Sequence, residues 1–312
     1  MTVNDLDPRE PAFEGTRRLL DGLAATIEEL IQRSPSDDPE ATHDLRVALR
    51  RSRAVVAAAK GVLPEAQRRE AGAVLRAVAA STTPARDLEV LVADVDHRAT
   101  EVPGVDPAAL ERIRAELVRR RDRASALAVA AVRQPAAVAW RRGWRQWLSD
   151  PRVTGDGRAQ LGPAVADQVA RAHRVVRRHG RAIGPGSPAG ELHQLRKEAK
   201  ALRYLLEAYR SLLPRGPAKA LGARLRDLQD VLGAHQDAVT QVHLLTWLAT
   251  QVSRRQAPDA AVLEALERLR VDATRRVDAQ RAAFGPCFAA YDTKDSRRSL
   301  SAMLEPLRAT RG

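Results

Sequence analysis

Cysteine is almost absent from this sequence. Cys287 is the single one in 312 residues. One thiol supports neither a disulfide within the chain nor a cysteine-based zinc site, which points to a reducing, cytoplasmic setting. Aromatic residues are nearly as scarce, at 3%. Strand-like runs of alternating β-branched residues bounded by turns are missing too. No stretch approaches the roughly 18 apolar residues of a membrane span. The first residues, MTVNDLDPREPAFEG, are acidic and lack an apolar core, so no signal peptide is expected. There is no G-x-x-x-x-G-K-[ST] phosphate loop and no E-x-x-H pair for a two-metal bundle site. The expectation is a protein with no cofactor, no metal and no enzymatic centre.

What is abundant is Ala, Leu, Arg and Glu, a composition that favours helix. Lys and Arg number 52 against 39 Asp and Glu, for a net charge of +13. Such a balance calls for an anionic partner without naming it.

The periodicity predicts helices in series. The first runs from Pro11 to Arg33. A turn at Ser34–Pro39 follows, with Asp38 as N-cap and Pro39 at the first helical position. The second helix runs to about Gly61, with Pro64 as its stop. A third starts near Glu65, breaks around Ser81–Pro84 and resumes to His97, and a long one spans Pro107–Arg133. Trp140, Trp144 and Trp147 recur at helical spacing and read as core anchors. Ser149–Gly162 reads as a linker. Beyond it, a helix pair is expected over about Pro217–Val252, a long helix over Ala257–Phe284 and a short one after Asp295.

The second helix, in THDLRVALRRSRAVVAAAKGVLP, carries the informative pattern. His43, Arg46, Arg50, Arg53 and Lys60 fall within about a quarter of the helix circumference. Aligned cations repel one another, so a stripe of them suits an anion, although one stripe alone is also compatible with a solvated face. The pattern then recurs. His193 lies 150 residues after His43, and at that offset Arg46 meets Arg196, Arg50 meets Lys200, Arg53 meets Arg203 and Lys60 meets Arg210. Leu75-Arg76 meets Leu225-Arg226, and Asp87 meets Asp237. The repeat predicts an all-α architecture: two helical bundles, 11–150 and 159–312, related by pseudo-twofold symmetry and forming one composite domain. Equivalent helices facing each other would put both stripes on one groove. Arg offers a planar fork to phosphate oxygens and Lys a point charge. Each histidine lies early in its helix, where the dipole favours an anion.

The pattern H-x-x-R-V-x-x-R-R-x-R at His43–Arg53, its second copy at His193–Arg203 and the Arg86-Asp87-Leu88-Glu89-Val90 segment resemble the conserved histidine α-helical domain, CHAD. The resemblance runs from about Phe13 to the end. It implies two four-helix bundles around a basic channel that binds inorganic polyphosphate; recruitment to polyphosphate granules, partnership with polyphosphate-metabolising proteins and simple storage are all compatible with that ligand. Carried over, the contacting residues are His43, Arg46, Arg50, Arg51, Arg53, His193, Arg196, Lys197, Lys200 and Arg203. Lys60 and Arg210 join them from stripe geometry, and Arg86 with His235 from the third segment and its counterpart. The second copy departs from the pattern there, reading His235-Gln236-Asp237-Ala238-Val239. The E-x-E-x-K signature of the triphosphate enzymes fused to some relatives is absent.

Two other readings compete. Charge alone suggests a nucleic-acid-binding protein, in which DNA rather than polyphosphate would win a competition. His43-Asp44-Leu45-Arg46 also resembles the phosphoacceptor box of sensor kinases. The second copy has Gln194 in place of Asp44, and no ATP-binding glycine boxes follow.

Overall fold

The computed structural model describes residues 6–33, 39–98, 101–150, 152–153 and 159–310, with the side chains of 39–43 excepted. The Asp38 cap and the His43 side chain therefore lie outside the described residues, as does part of the Ser149–Gly162 linker. The described residues form helices and no strand. In order these are α1 (Ala12–Gln32), α2 (Pro39–Ala58), α3 (Glu65–Ser81), α4 (Thr83–Arg98), α5 (Pro107–Arg133), α6 (Pro135–Ser149), α7 (Leu161–Ala182), α8 (Ala189–Ala208), α9 (Arg215–Ser253), α10 (Ala260–Tyr291) and α11 (Lys294–Arg308). Helix α8 begins and ends 150 residues after α2.

Local chemistry sets several ends. Asp106 accepts from the Ala108 and Ala109 N–H groups while Pro107 takes the first position of α5, and Asp259 caps α10 through Val262; both satisfy orphan donors. Thr82 interrupts α3 and α4 because Pro84 cannot donate to the carbonyl of Ala80 and its ring crowds it. At the corresponding place the chain reads Leu232-Gly233-Ala234. With no proline there, α9 continues unbroken for 39 residues, which corrects the expected helix pair. The expected stop of α10 at Phe284 is corrected too. Pro286 sits inside the helix, and burial of Phe284, Phe288 and Tyr291 around it offsets a cost of about 3 kcal/mol.

Apolar side chains collect into two cores. The larger takes Leu19, Leu20 and Ile27 from α1, Leu45, Leu49, Val55 and Val56 from α2, and Val165, Val169 and Val176 from α7. It adds Leu195, Leu202 and Leu205 from α8, the first half of α9 to Leu232, and α11. The stacked Trp140, Trp144 and Trp147 rings, with centroids 5.8 and 5.1 Å apart, pack on its flank, as core anchors do. The smaller core joins α4 and α5 to the second half of α9, from Leu245, and to the first half of α10. Each core thus draws on both halves of the chain. Helix α2 packs on α8, and α4 on α9. The stretch of α9 between the two cores is where polar side chains face inward.

Candidate functional site

Helices α2, α4, α8 and α9 leave a cavity of about 680 Å³ at that stretch. Arg46 and Arg50 enter it from α2, and Thr83, Arg86, Asp87 and Val90 from α4. His193, Arg196, Lys200 and Arg203 enter from α8, with Asp230, Gln236 and Asp237 among the residues from α9. A second cavity of about 370 Å³ shares Arg46, Arg50 and Thr83 with the first and continues between α2 and α3 to Arg53 and Arg76. Among the described residues the two together are lined by eight Lys and Arg side chains, three Asp and one His. The helical period delivers this directly: Leu45, Leu49 and Val56 turn α2 into the core, so Arg46, Arg50 and Arg53 turn away from it. Leu195, Ala199 and Leu202 do the same for Arg196, Lys200 and Arg203 on α8.

The cations are held to different degrees. The Arg46 Nη1 donates to the carbonyl and hydroxyl of Thr82 at 2.5 and 2.7 Å, and Arg46 is 8% exposed. It braces the α3–α4 break as well as facing the cavity. Burial, with Arg50 adding to it, lowers its pKa to about 10. The Arg196 Nη2 lies 3.8 Å from Asp237, and burial lowers its pKa too. Arg86 pairs with Glu89 at 2.8 Å. By contrast, Arg50, Arg53, Arg76 and Lys200 have no hydrogen bond or ion pair with any described residue. Lys200 is the most perturbed of these. Burial, then the charges of Arg196 and Arg50, push its ammonium down to about 7. Asp87 shifts the other way: burial raises its carboxyl, against the pull of Arg46.

The His193 Nδ1 lies 2.5 Å from the Gln236 Oε1. With that oxygen as acceptor, Nδ1 carries the proton, and Nε2 becomes a second donor when the ring is charged.

Several expected contacts lie elsewhere. Helices α2 and α8 end at Ala58 and Ala208, so Lys60 and Arg210 lie past them, are exposed, and are not part of a helical stripe. At this end of α2, Gly61 takes a left-handed φ of 79°, which the helix cannot continue through. His235 is 2% exposed and absent from the cavity lining. It faces inward from α9, and burial lowers its pKa; the neighbours Gln236 and Asp237 line the cavity instead. The Arg51 guanidinium sits 3.2 Å from Glu207, and Lys197 is exposed; neither lines either cavity. Sequence reasoning also missed residues that do. Arg76 had a signal, because it recurs as Arg226 at the same offset as the stripe. Asp87 and Asp237 recur as well, but carboxylates carry the sign an anion site repels.

Among the described residues no group of three or more His, Cys, Asp or Glu is arranged to hold a metal ion, and no helix is long and apolar enough to cross a membrane. The family model for the CHAD domain matches residues 16–246. The chain belongs to the CHAD family. Two solved structures share the CHAD fold of this chain. The CHAD domain from the plant Ricinus communis aligns at a TM-score of 0.72 and 21% identity, over 96% of this chain and 94% of that one. PptA from Streptomyces chartreusis aligns at 0.68 and 19%, over 89% and 99%. No curated protein matches the chain.

Proposed function

We propose that this CHAD domain binds inorganic polyphosphate, without turning it over, in the cavity between α2, α4, α8 and α9. The observation that carries the reading is the set of cations on that cavity with no partner among the described residues, above all Arg50 and Lys200 from facing helices. Cations forced together out of water, without carboxylates bonded to them, are stabilised by an anion that replaces the lost hydration. Phosphates in an extended chain meet a charge about every helical turn, because i, i+4 positions rise about 6 Å. Thr82 holds Arg46 and Asp237 lies beside Arg196 while the site is empty. His193 adds a hydrogen-bond donor through Nε2 when its ring is charged. Residues 11–150 and 159–312 act as halves of one composite domain, with α2 and α8 as its pseudo-equivalent pair. A cytoplasmic setting, at polyphosphate granules or with polyphosphate-metabolising proteins, follows from this ligand.

Among the described residues no aromatic ring other than the His193 imidazole lines either cavity, so bases have little to stack on and nucleic acid binds as a weaker polyanion. The test is direct binding of long-chain polyphosphate to the full chain, with duplex DNA and orthophosphate as competitors. Polyphosphate displaces DNA, DNA at equal phosphate concentration does not displace polyphosphate, and Arg50→Gln weakens the complex about tenfold, the loss of one charge-assisted phosphate contact. Displacement of polyphosphate by DNA would overturn the reading. So would unchanged affinity in the Arg50→Gln variant.

A further inference from the structure

The two halves are alike in their cations and unlike in their acids. At the 150-residue offset, Glu207, Asp227 and Asp230 stand where the first half has Ala57, Ala77 and Ala80. The effect on Arg203 is visible. Arg203 has Glu207 3.4 Å from its Nε, and the same Glu207 holds Arg51 at 3.2 Å. Its counterpart Arg53 faces only Ala57 and has no partner among the described residues. Arg226 is followed at i+1 and i+4 by Asp227 and Asp230, the latter on its own helix face, whereas Arg76 is followed by Ala77 and Ala80. The smaller cavity, bounded by Arg46, Arg50, Arg53 and Arg76, is lined by no carboxylate among the described residues. The charges of Arg76 and Arg50 add to burial in lowering the Arg53 pKa, as expected of cations held close with nothing between them.

We infer that the site has one cationic exit: a polyphosphate chain too long for the central cavity leaves it between α2 and α3, past Arg53 and Arg76, and not along the equivalent path past Arg203 and Arg226. The inference rests on the proposed ligand and adds a direction to it. Continuity supplies the route, since Arg46, Arg50 and Thr83 line both cavities. The acids supply the bias. A phosphate passing Arg203 meets Glu207 beside it and Asp230 on the cavity wall, and like charges repel.

Arg76 and Arg226 make the test clean, because both are exposed and neither carries the core. Long-chain polyphosphate and tripolyphosphate are titrated against the full chain over a salt series. Arg76→Gln lowers long-chain affinity about tenfold and reduces the slope of log K against log salt by about 0.7 to 1, the signature of one lost phosphate contact. Its effect on tripolyphosphate is several-fold smaller. Arg226→Gln changes neither ligand. The double variant Glu207→Ala/Asp230→Ala tightens long-chain binding by opening the second path. Equal losses in Arg76→Gln and Arg226→Gln would overturn the single exit, as would an Arg76→Gln loss of the same size for both chain lengths. Those outcomes leave polyphosphate binding itself standing. Failure of the unaltered chain to bind polyphosphate overturns both.

Discussion

Raising the pH through neutrality weakens polyphosphate binding, and Lys200 is the reason. Its ammonium is buried in the cavity wall with Arg196 and Arg203 on its own helix, Arg50 opposite on α2, and His193, Asp87 and Asp237 around the same cavity. Burial is the largest influence and the two nearest arginines the next, and together they bring the pKa to about 7. In the empty protein Lys200 is therefore charged in about nine molecules of ten at pH 6 and about one in ten at pH 8. A bound phosphate holds the proton on, so the complex titrates at a higher pH. Above pH 7 each further unit then weakens binding by up to about tenfold, or about 1.4 kcal/mol, until the pKa of the complex is reached. Long-chain polyphosphate is the ligand of choice, because only its chain ends titrate near neutrality. Titration calorimetry near pH 7, in two buffers of different ionisation enthalpy, reports uptake of about half a proton on binding. Lys200→Arg keeps a charge at all these pH values and removes both effects. The same shift acts on the empty fold. Between about 7 and the ordinary 10.5, the unfolded chain binds the proton more tightly, so stability rises with pH across that window and is lowest below it. A pH profile identical in the unaltered protein and in Lys200→Arg, with no buffer-dependent heat, would refute the argument.

Two stability predictions follow from close packing. A methyl group on Gly180 would meet the Phe288 ring at 2.0 Å, so Gly180→Ala forces α7 and α10 apart and costs about 1–3 kcal/mol or more, read as a lowered denaturant midpoint. His173 is 2% exposed beside Tyr291, and burial pushes its pKa down to about 4. Below an ordinary histidine pKa of about 6.5 the unfolded chain takes the proton first, so stability falls from pH 6.5 to about 4, by up to about 3 kcal/mol from this residue. Thermal melts of His173→Gln flatten that part of the acid limb; an unchanged limb would show that another group titrates there.

Much of the site was legible from local pattern. Helical periodicity sorts Leu45, Leu49 and Val56 from Arg46, Arg50 and Arg53 without reference to any other helix, and the second copy at Leu195 and Arg196 does the same. The 150-residue offset marked both stripes together as candidates for one site. Charge and spacing, however, do not say where a helix stops. Lys60 and Arg210 match the stripe in sequence and leave it in space because α2 and α8 end two residues earlier. Nor does pattern separate His235 from its neighbours: the turn of α9 between the two cores buries the histidine and presents Gln236 and Asp237.

Composition and the 3.6-residue period were enough to establish an all-α chain with two matched basic helices, since both follow from interactions within a turn or two of helix. Whether a cation is free or neutralised is a matter of what packs against it. Arg50 and Lys200 are unpaired among the described residues, Arg46 is spent partly on Thr82, and Arg51 is taken by Glu207, 156 residues away. Those assignments depend on contacts between segments far apart in the chain, and they arise only when α2, α3, α8 and α9 are brought together.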